Sequence, residues 1–338
     1  MSDSRAGLNL VWLQAAGCGG CTLSWLTSDA RDLFGMLRGA GIRLRWHPAL
    51  SPECGASSLE ILARCADGRE RLDLLAVEGA VLRGPNGTGK FHLASGTGEP
   101  MAALVRRLAE RARVTLAIGT CAAFGGMPSS GANVTEACGL QYEAEACGGL
   151  LGAAYRSRAG LPVINVAGCP PHPGWVVDTL LALAEGGLRA GDLDAYARPR
   201  FYADHLVHHA CSRNEYYEFK AAARRHSELG CLMENLGCMG TQAHADCNMR
   251  PWNGTGSCPR GGFACINCTA PGFEDPGHPF TTTPKVAGIP IGLPTDMPKA
   301  WFVALSALSK SATPRRVREN ASSDHRVVPP ASRRGERR

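Results

Sequence analysis

The chain has 338 residues, 44% apolar and 20% charged, which fits one large or two moderate globular cores and excludes a wholly disordered protein. Five of its six net positive charges fall in residues 311–338, where eight arginines face Glu319, Asp324 and Glu336. The rest is nearly neutral, so a nucleic-acid role has little electrostatic support.

The first half alternates strand-like and helix-like runs. Leu8–Ala16 is a short apolar strand, and a Gly-rich turn after it carries Cys18 and Cys21. Thr22–Gly39 keeps Leu23, Leu26, Ala30, Leu33 and Leu37 on one face and predicts a helix. Ile42–His47, Leu72–Val77, Val114–Gly119 and Val163–Ala167 are further strands, and Met101–Arg113 and Gly174–Ala184 are helices. This alternation predicts an α/β fold, a parallel sheet with helices on both sides. Cys18, Glu78, Cys121 and Cys169 each follow a predicted strand, and such strand ends share the rim where ligands bind.

After about residue 195 regular strands are no longer predicted, and Gly, Pro, Asn and Cys dominate residues 230–280. Three segments are expected: 1–195 as the sheet domain, 196–310 as an irregular domain stabilised by bound metal, and 311–338 as a basic, disordered tail. No run reaches the roughly 18 apolar residues of a membrane span. Met1–Ala6 carries neither a basic region before an apolar run nor twin arginines, so the chain reads as cytoplasmic. In that compartment fifteen cysteines suggest metal ligation over disulfides.

Eleven cysteines and one histidine sort into three groups of four. The first is Cys18, Cys21, Cys121 and Cys169. The second is His208, Cys211, Cys231 and Cys238; His208 is preferred to His209 because a spacing of three on a helix puts it beside Cys211. The third is Cys247, Cys258, Cys265 and Cys268. Soft, anionic thiolates in fours suit iron–sulfur cubanes. The competing readings are a redox-active pair for Cys18-Gly-Gly-Cys21 and structural zinc for the third group. A histidine in place of a thiolate makes the second cluster less negative and tends to raise its potential. Glu78 is read as a proton relay or as a surface carboxylate at a strand end. Cys54, Cys65, Cys138 and Cys147 have no partners at metal spacing.

Gly84-Pro-Asn-Gly-Thr-Gly-Lys90 imitates a phosphate loop, but Phe91 stands where the magnesium-binding Ser or Thr is needed, and no helix is predicted to follow. Nucleotide binding there is rejected.

In order, GCGGC at 17–21, VEG at 77–79, GTCA at 119–122, GCPPHP at 168–173, HxxC at 208–211 and the Cys247…Trp252…Cys265-x-x-Cys268 run resemble the small, electron-transfer subunit of [NiFe]-hydrogenases, over residues 8 to 275. The resemblance implies a flavodoxin-like first domain, a second domain with two clusters, and proximal, distal and medial roles for the three groups in the order given. It implies that hydrogen is cleaved on a partner large subunit, so no catalytic residue is assigned to this chain. Electrons would enter at the Cys18 group, cross the Cys247 group and leave from the His208 group to an unidentified acceptor. Glu78 matches a glutamate beside the proximal cluster.

Departures from the family pattern refine this. Gly20 and Gly126 stand where oxygen-tolerant membrane-bound members carry extra cysteines, so a six-cysteine cluster is not expected. Cys258 beside Pro259 implies a four-iron medial cluster, and all three clusters are read as [4Fe-4S]. Six residues separate Cys231 from Cys238 where the family usually has five. The missing export signal and anchor resemble the soluble actinobacterial-type uptake class, some of whose members use a carboxylate at the proximal cluster; Asp29 and Glu78 are the candidates here. A dimer of heterodimers is an assembly to be tested. The alternatives are a zinc-stabilised binding protein with a basic tail, and a subunit of a quinone-reducing complex. The latter is disfavoured because those relatives carry adjacent cysteines at the first site and lack the second domain.

Overall fold

The computed structural model describes residues 7–28, 32–293 and 297–324. Five apolar runs form one parallel sheet: β1 (Leu8–Gln14), β2 (Ile42–Trp46), β3 (Leu74–Glu78), β4 (Val114–Ile118) and β5 (Ile164–Val166). Their order is β2-β1-β3-β4-β5, the doubly wound order of flavodoxin-like folds. Every residue of β3 and β4 is buried, as expected for a sheet covered on both faces. The sheet is accompanied by helices α1 (Gly20–Leu26), α2 (Leu33–Gly39), α3 (Ala56–Ala66), α4 (Met101–Arg111), α5 (Thr120–Phe124) and α6 (Pro173–Glu185).

Alternation along the strands divides the core. Val11, Leu13, Leu75, Val77 and Ala117 pack with Leu62 and Cys65 of α3 and with Val105 and Leu108 of α4. Residues one position along point to the opposite face. There Trp12 stacks on Trp25 of α1 with ring centroids 4.8 Å apart. Each such large apolar side chain contributes about 1.5–3 kcal/mol by leaving water.

The helix expected over Thr22–Gly39 is two helices, α1 and α2. Polar side chains mark the end of the first and the start of the second. Thr27 donates its hydroxyl to the Ser24 carbonyl at 2.7 Å, and the Asp32 carboxylate caps α2 by accepting from the Gly35 amide at 2.7 Å. The apolar spacing ran on through the break and concealed it. Helix α3 is absent from the sequence reading, although Ile61, Leu62 and Cys65 are buried at helical steps.

The chain forms two compact units. The first comprises Met1–Leu206, Ala243–Thr255 and Asn267–Gly277, and the second Val207–Gln242, Gly256–Ile266 and His278–Arg338. Within the first unit, the later stretches are tied to the sheet domain by Trp175 Nε1 donating to Asp246 at 2.6 Å and Arg198 donating to the Thr269 carbonyl at 3.0 Å.

The second unit is mostly turns around small apolar clusters, one of them Tyr217, Met233, Leu293 and Phe302. The tail expected to be disordered from residue 311 is ordered through its first part. A helix at Lys299–Ala312 runs into the segment, and a second spans Arg315–Ala321. Val317 and Ala321 are buried, and the Gly230 amide donates to the Ala321 carbonyl at 2.9 Å. Averaging the composition over 28 residues hid this short amphipathic helix; residues 325–338 lie outside the described residues. Among the described residues no helix is long and apolar enough to cross a membrane.

Candidate metal centre

Strand register builds the first site. Gln14 is opposite Glu78, Glu78 opposite Ile118, and Ile118 opposite Val166, a row across the C-terminal ends of β1, β3, β4 and β5. Cys18 and Cys21 follow β1, Cys121 sits in the first turn of α5 after β4, and Cys169 follows β5 between Gly168 and Pro170. The fold thereby gathers residues spread over 150 positions.

Glycine makes the approach tight enough. A Cβ on Gly119, where φ is +87°, would overlap Cys21 Sγ. A Cβ on Gly126 would lie 3.1 Å from Cys121 Sγ, and one on Gly20 3.0 Å from Cys18 Sγ. The Gly20 amide donates to Cys18 Sγ at 3.4 Å, and the Met127 amide donates to Cys121. All four thiols are unbridged.

Burial pushes the Cys21 thiol far up, and Glu78, Cys121, Cys18 and Cys169 add to the shift, so the four sulfurs share one electrostatic neighbourhood. Cys121 is pushed up to about 12 by burial, with Cys169 and Cys18 contributing. Gathering four thiolates is costly without a cation, and bound iron would release their protons. Among the described residues no three His, Cys, Asp or Glu side chains are arranged to hold a single metal ion. A cubane asks for a different arrangement, one sulfur at each of four irons. The sulfur donors and the glycine cradle of the first set fit such a group.

Glu78 is buried beneath this set, so of its two sequence readings the surface one is corrected. The strand-end position suggested water, but the start of α1 closes over it. Its carboxylate accepts from Trp12 Nε1 at 3.1 Å, the Cys21 amide at 3.1 Å, the Thr22 amide at 3.1 Å and the Thr22 hydroxyl. It is thus the anion that caps α1 and locks Cys21 against the sheet. His47 completes the network. Its Nδ1 accepts from the Ala49 amide at 3.0 Å, which leaves the proton on Nε2, 3.2 Å from Thr22 Oγ1.

Burial holds His47 down at about 4, with Glu78 opposing the shift. The unfolded chain, near the ordinary 6.5, therefore binds this proton first as pH falls. The contribution of His47 to stability is complete above about 6.5 and is lost as pH falls towards 4. Thermal unfolding followed across that window should show a falling midpoint in the wild type and a flatter profile in His47→Gln.

One carboxylate here escaped the sequence reading. Glu274 is 8% exposed, its Oε1 accepts from Ser129 Oγ at 3.4 Å, and its Oε2 has no hydrogen-bond partner among the described residues. It raises the thiols of Cys121 and Cys169, and burial raises its own carboxyl. The signal was a charge beside Phe273 at the end of an apolar turn. Asp29 lies outside the described residues.

The second set is built by turns within the second unit. His208 lies in a 3-10 turn, Val207–Ala210, and the Cys211 amide donates to the His208 carbonyl at 3.1 Å. Residues three apart eclipse in such a turn, so His208 and Cys211 share a side. The His208 amide donates to the Gly240 carbonyl at 3.0 Å, which brings it alongside Cys238. Cys231 is pushed up to about 12 by burial, with Cys238 and Cys211 adding to the shift. The Cys265 amide donates to Cys238 Sγ at 3.4 Å, and the Arg213 amide to Cys211 Sγ at 3.4 Å.

The third set is divided by the unit boundary. Cys247 and Cys268 belong to the first unit, where the Cys268 carbonyl accepts from the Thr120 hydroxyl. Cys258 and Cys265 belong to the second, and burial raises the Cys258 thiol. Of the remaining cysteines, Cys65 and Cys138 are core residues and Cys54 and Cys147 are exposed. At the imitation phosphate loop, the amides of Asn86 and Gly87 bind the Glu136 carboxylate at 2.6 and 3.0 Å. The chain's own anion occupies the place a phosphate would take.

The rim gathers four thiols, and comparison with known proteins gives the class, an oxidoreductase subunit. Residues 18–183 match the family model described as NADH ubiquinone oxidoreductase, 20 Kd subunit, and residues 203–281 match the model for the C-terminal part of the NiFe/NiFeSe hydrogenase small subunit. The F420 non-reducing hydrogenase II small subunit of Methanosarcina mazei is 32% identical over 308 residues, 84% of this chain and 78% of that relative. The periplasmic [NiFeSe] hydrogenase small subunit of Desulfomicrobium baculatum is 31% identical over 294 residues, covering 83% and 89%. The actinobacterial-type NiFe-hydrogenase structure from Ralstonia eutropha H16 superposes with a TM-score of 0.73 at 27% identity, covering 92% and 93%. The chain belongs to the [NiFe]-hydrogenase small-subunit family. It is a subunit of an enzyme complex whose catalytic site lies in the large subunit, and small subunits of this family carry iron–sulfur clusters.

Proposed function

We propose that this chain carries electrons away from hydrogen oxidation in its large-subunit partner to an external acceptor, in the uptake direction and in the cytoplasm. Three [4Fe-4S] clusters on the Cys18, Cys247 and His208 groups would supply the one-electron acceptors. The observation that carries the reading is the row Gln14–Glu78–Ile118–Val166, which delivers Cys18, Cys21, Cys121 and Cys169 to one rim. The glycines around them leave room for a cluster, and Glu78 fixes the Cys21 turn. Amides aimed at Cys18, Cys121, Cys211 and Cys238 suit thiolates that stay charged, because donors to sulfur stabilise the negative form.

The test uses the complex purified without oxygen. Admitting hydrogen should bleach its visible sulfur-to-iron absorption, and an external dye should then restore the colour. A complex that activates hydrogen while this absorption stays unchanged would contradict the relay.

A further inference from the structure

In the second unit a buried cation has no carboxylate to balance it among the described residues. Arg213 is only 5% exposed. Its Nε donates to the Pro259 carbonyl at 3.0 Å, and its Nη1 to the carbonyls of Glu228 and Gly230 at 2.8 and 2.6 Å. Among the described residues no Asp or Glu pairs with it. The Glu228 side chain is engaged elsewhere, by the Arg224 amide at 2.6 Å and Arg225 Nε at 3.2 Å. What surrounds it instead is the sulfur set: Gly230 directly precedes Cys231, and the Arg213 amide itself donates to Cys211 Sγ at 3.4 Å. An unpaired buried charge is strongly unfavourable, so such a residue implies a nearby anion.

We propose that Arg213 is the built-in counter-charge of the cluster held by the His208 group, and that it sets that cluster's reduction potential high. This rests on the proposed relay function. Reduction adds negative charge to a cluster, and a fixed cation beside it favours the reduced form. Lys220 is a second basic side chain of this unit, lying over the Tyr217 and Phe302 rings, 3.9 and 4.3 Å from their centroids. The neutral ligand His208 acts in the same direction. The first set differs, since the side chain beneath it is a carboxylate, Glu78, which accepts from the Cys21 amide at 3.1 Å. Electrons would therefore collect at the His208 group.

The experiment is a potentiometric titration of the intact complex, followed by electron paramagnetic resonance, with iron measured in each sample. Arg213→Gln should make this cluster at least tenfold harder to reduce, a downward shift of about 59 mV for one electron. Arg213→Lys keeps the charge but loses the three-carbonyl fork, and should stay close to the wild type. Arg213→Gln that loses iron from this set while Arg213→Lys keeps both iron and potential also supports the proposal. An unshifted potential in Arg213→Gln overturns it. So does Arg213→Lys failing as fully as Arg213→Gln, by shift or by iron loss, because the residue is then a backbone clamp. A wild-type complex without a cluster at this set defeats the relay reading itself, and is distinguished by its metal content before either variant is made.

Discussion

Cys121→Ser should abolish hydrogen-driven dye reduction while leaving the protein folded. Cys121 sits in the first turn of α5, anchored by a β4 whose five residues are all buried. The backbone there is also held by the Gly119 amide, which donates to the Val166 carbonyl at 2.9 Å. The sheet therefore does not depend on the sulfur. What disappears is one corner of the first set. Loss of outer-shell partners of a metal site typically costs 10–100-fold in affinity or activity, so loss of a ligand at the entry point should exceed about 100-fold. About four irons should go with it. Dye reduction and iron content in the purified complex check both points. Full activity with all iron retained would remove Cys121 from the ligand set.

Gly119→Ala should do comparable damage without touching a ligand. Gly119 has φ +87° and ψ 158°, a region essentially confined to glycine, so any side chain costs about 1–3 kcal/mol of backbone strain. The added methyl would also overlap Cys21 Sγ and push it aside. Strain alone lowers the unfolding midpoint; displacement of the sulfur empties the first set. Both should be seen, as a lower melting temperature and as a loss of about four irons. Gly148→Ala is the control, because a Cβ there meets nothing within 4 Å. Equal behaviour of the two variants would argue against the cradle.

The sheet could be read from the sequence because β1, β3, β4 and β5 are short, mainly apolar runs that end at glycine turns, and their ends mark where Cys18, Glu78, Cys121 and Cys169 emerge. Parallel pairing turns those four strand ends into one rim, so chain order alone carried the first site. Helix boundaries were less visible. The break between α1 and α2 depends on Thr27 and Asp32 side chains competing for backbone groups, which an apolar period does not record. Helix α3 was obscured by the exposed Ser57, Glu60 and Arg64 and by a serine, Ser58, on its buried side. The helix at Arg315–Ala321 buries only Val317 and Ala321, too few apolar residues to stand out in an arginine-rich tail.

Charges inside the protein were the least legible of all. Nothing in the order of residues says that Glu274 is buried and raises the Cys121 and Cys169 thiols, or that the Arg213 side chain reaches the carbonyls of Glu228, Gly230 and Pro259. These placements come from turns in the irregular part of the chain, where no period links sequence to space. They also bear most directly on potentials, since a buried charge acts strongly where water cannot screen it.

Anaerobic determination of iron and zinc in the purified complex tests the central claim most directly. After allowance for the partner's own metal, each copy of this chain should carry about twelve irons, four for each cubane, and no stoichiometric zinc. Zinc at one or more atoms per chain with little iron would contradict the relay and identify a zinc-stabilised binding protein.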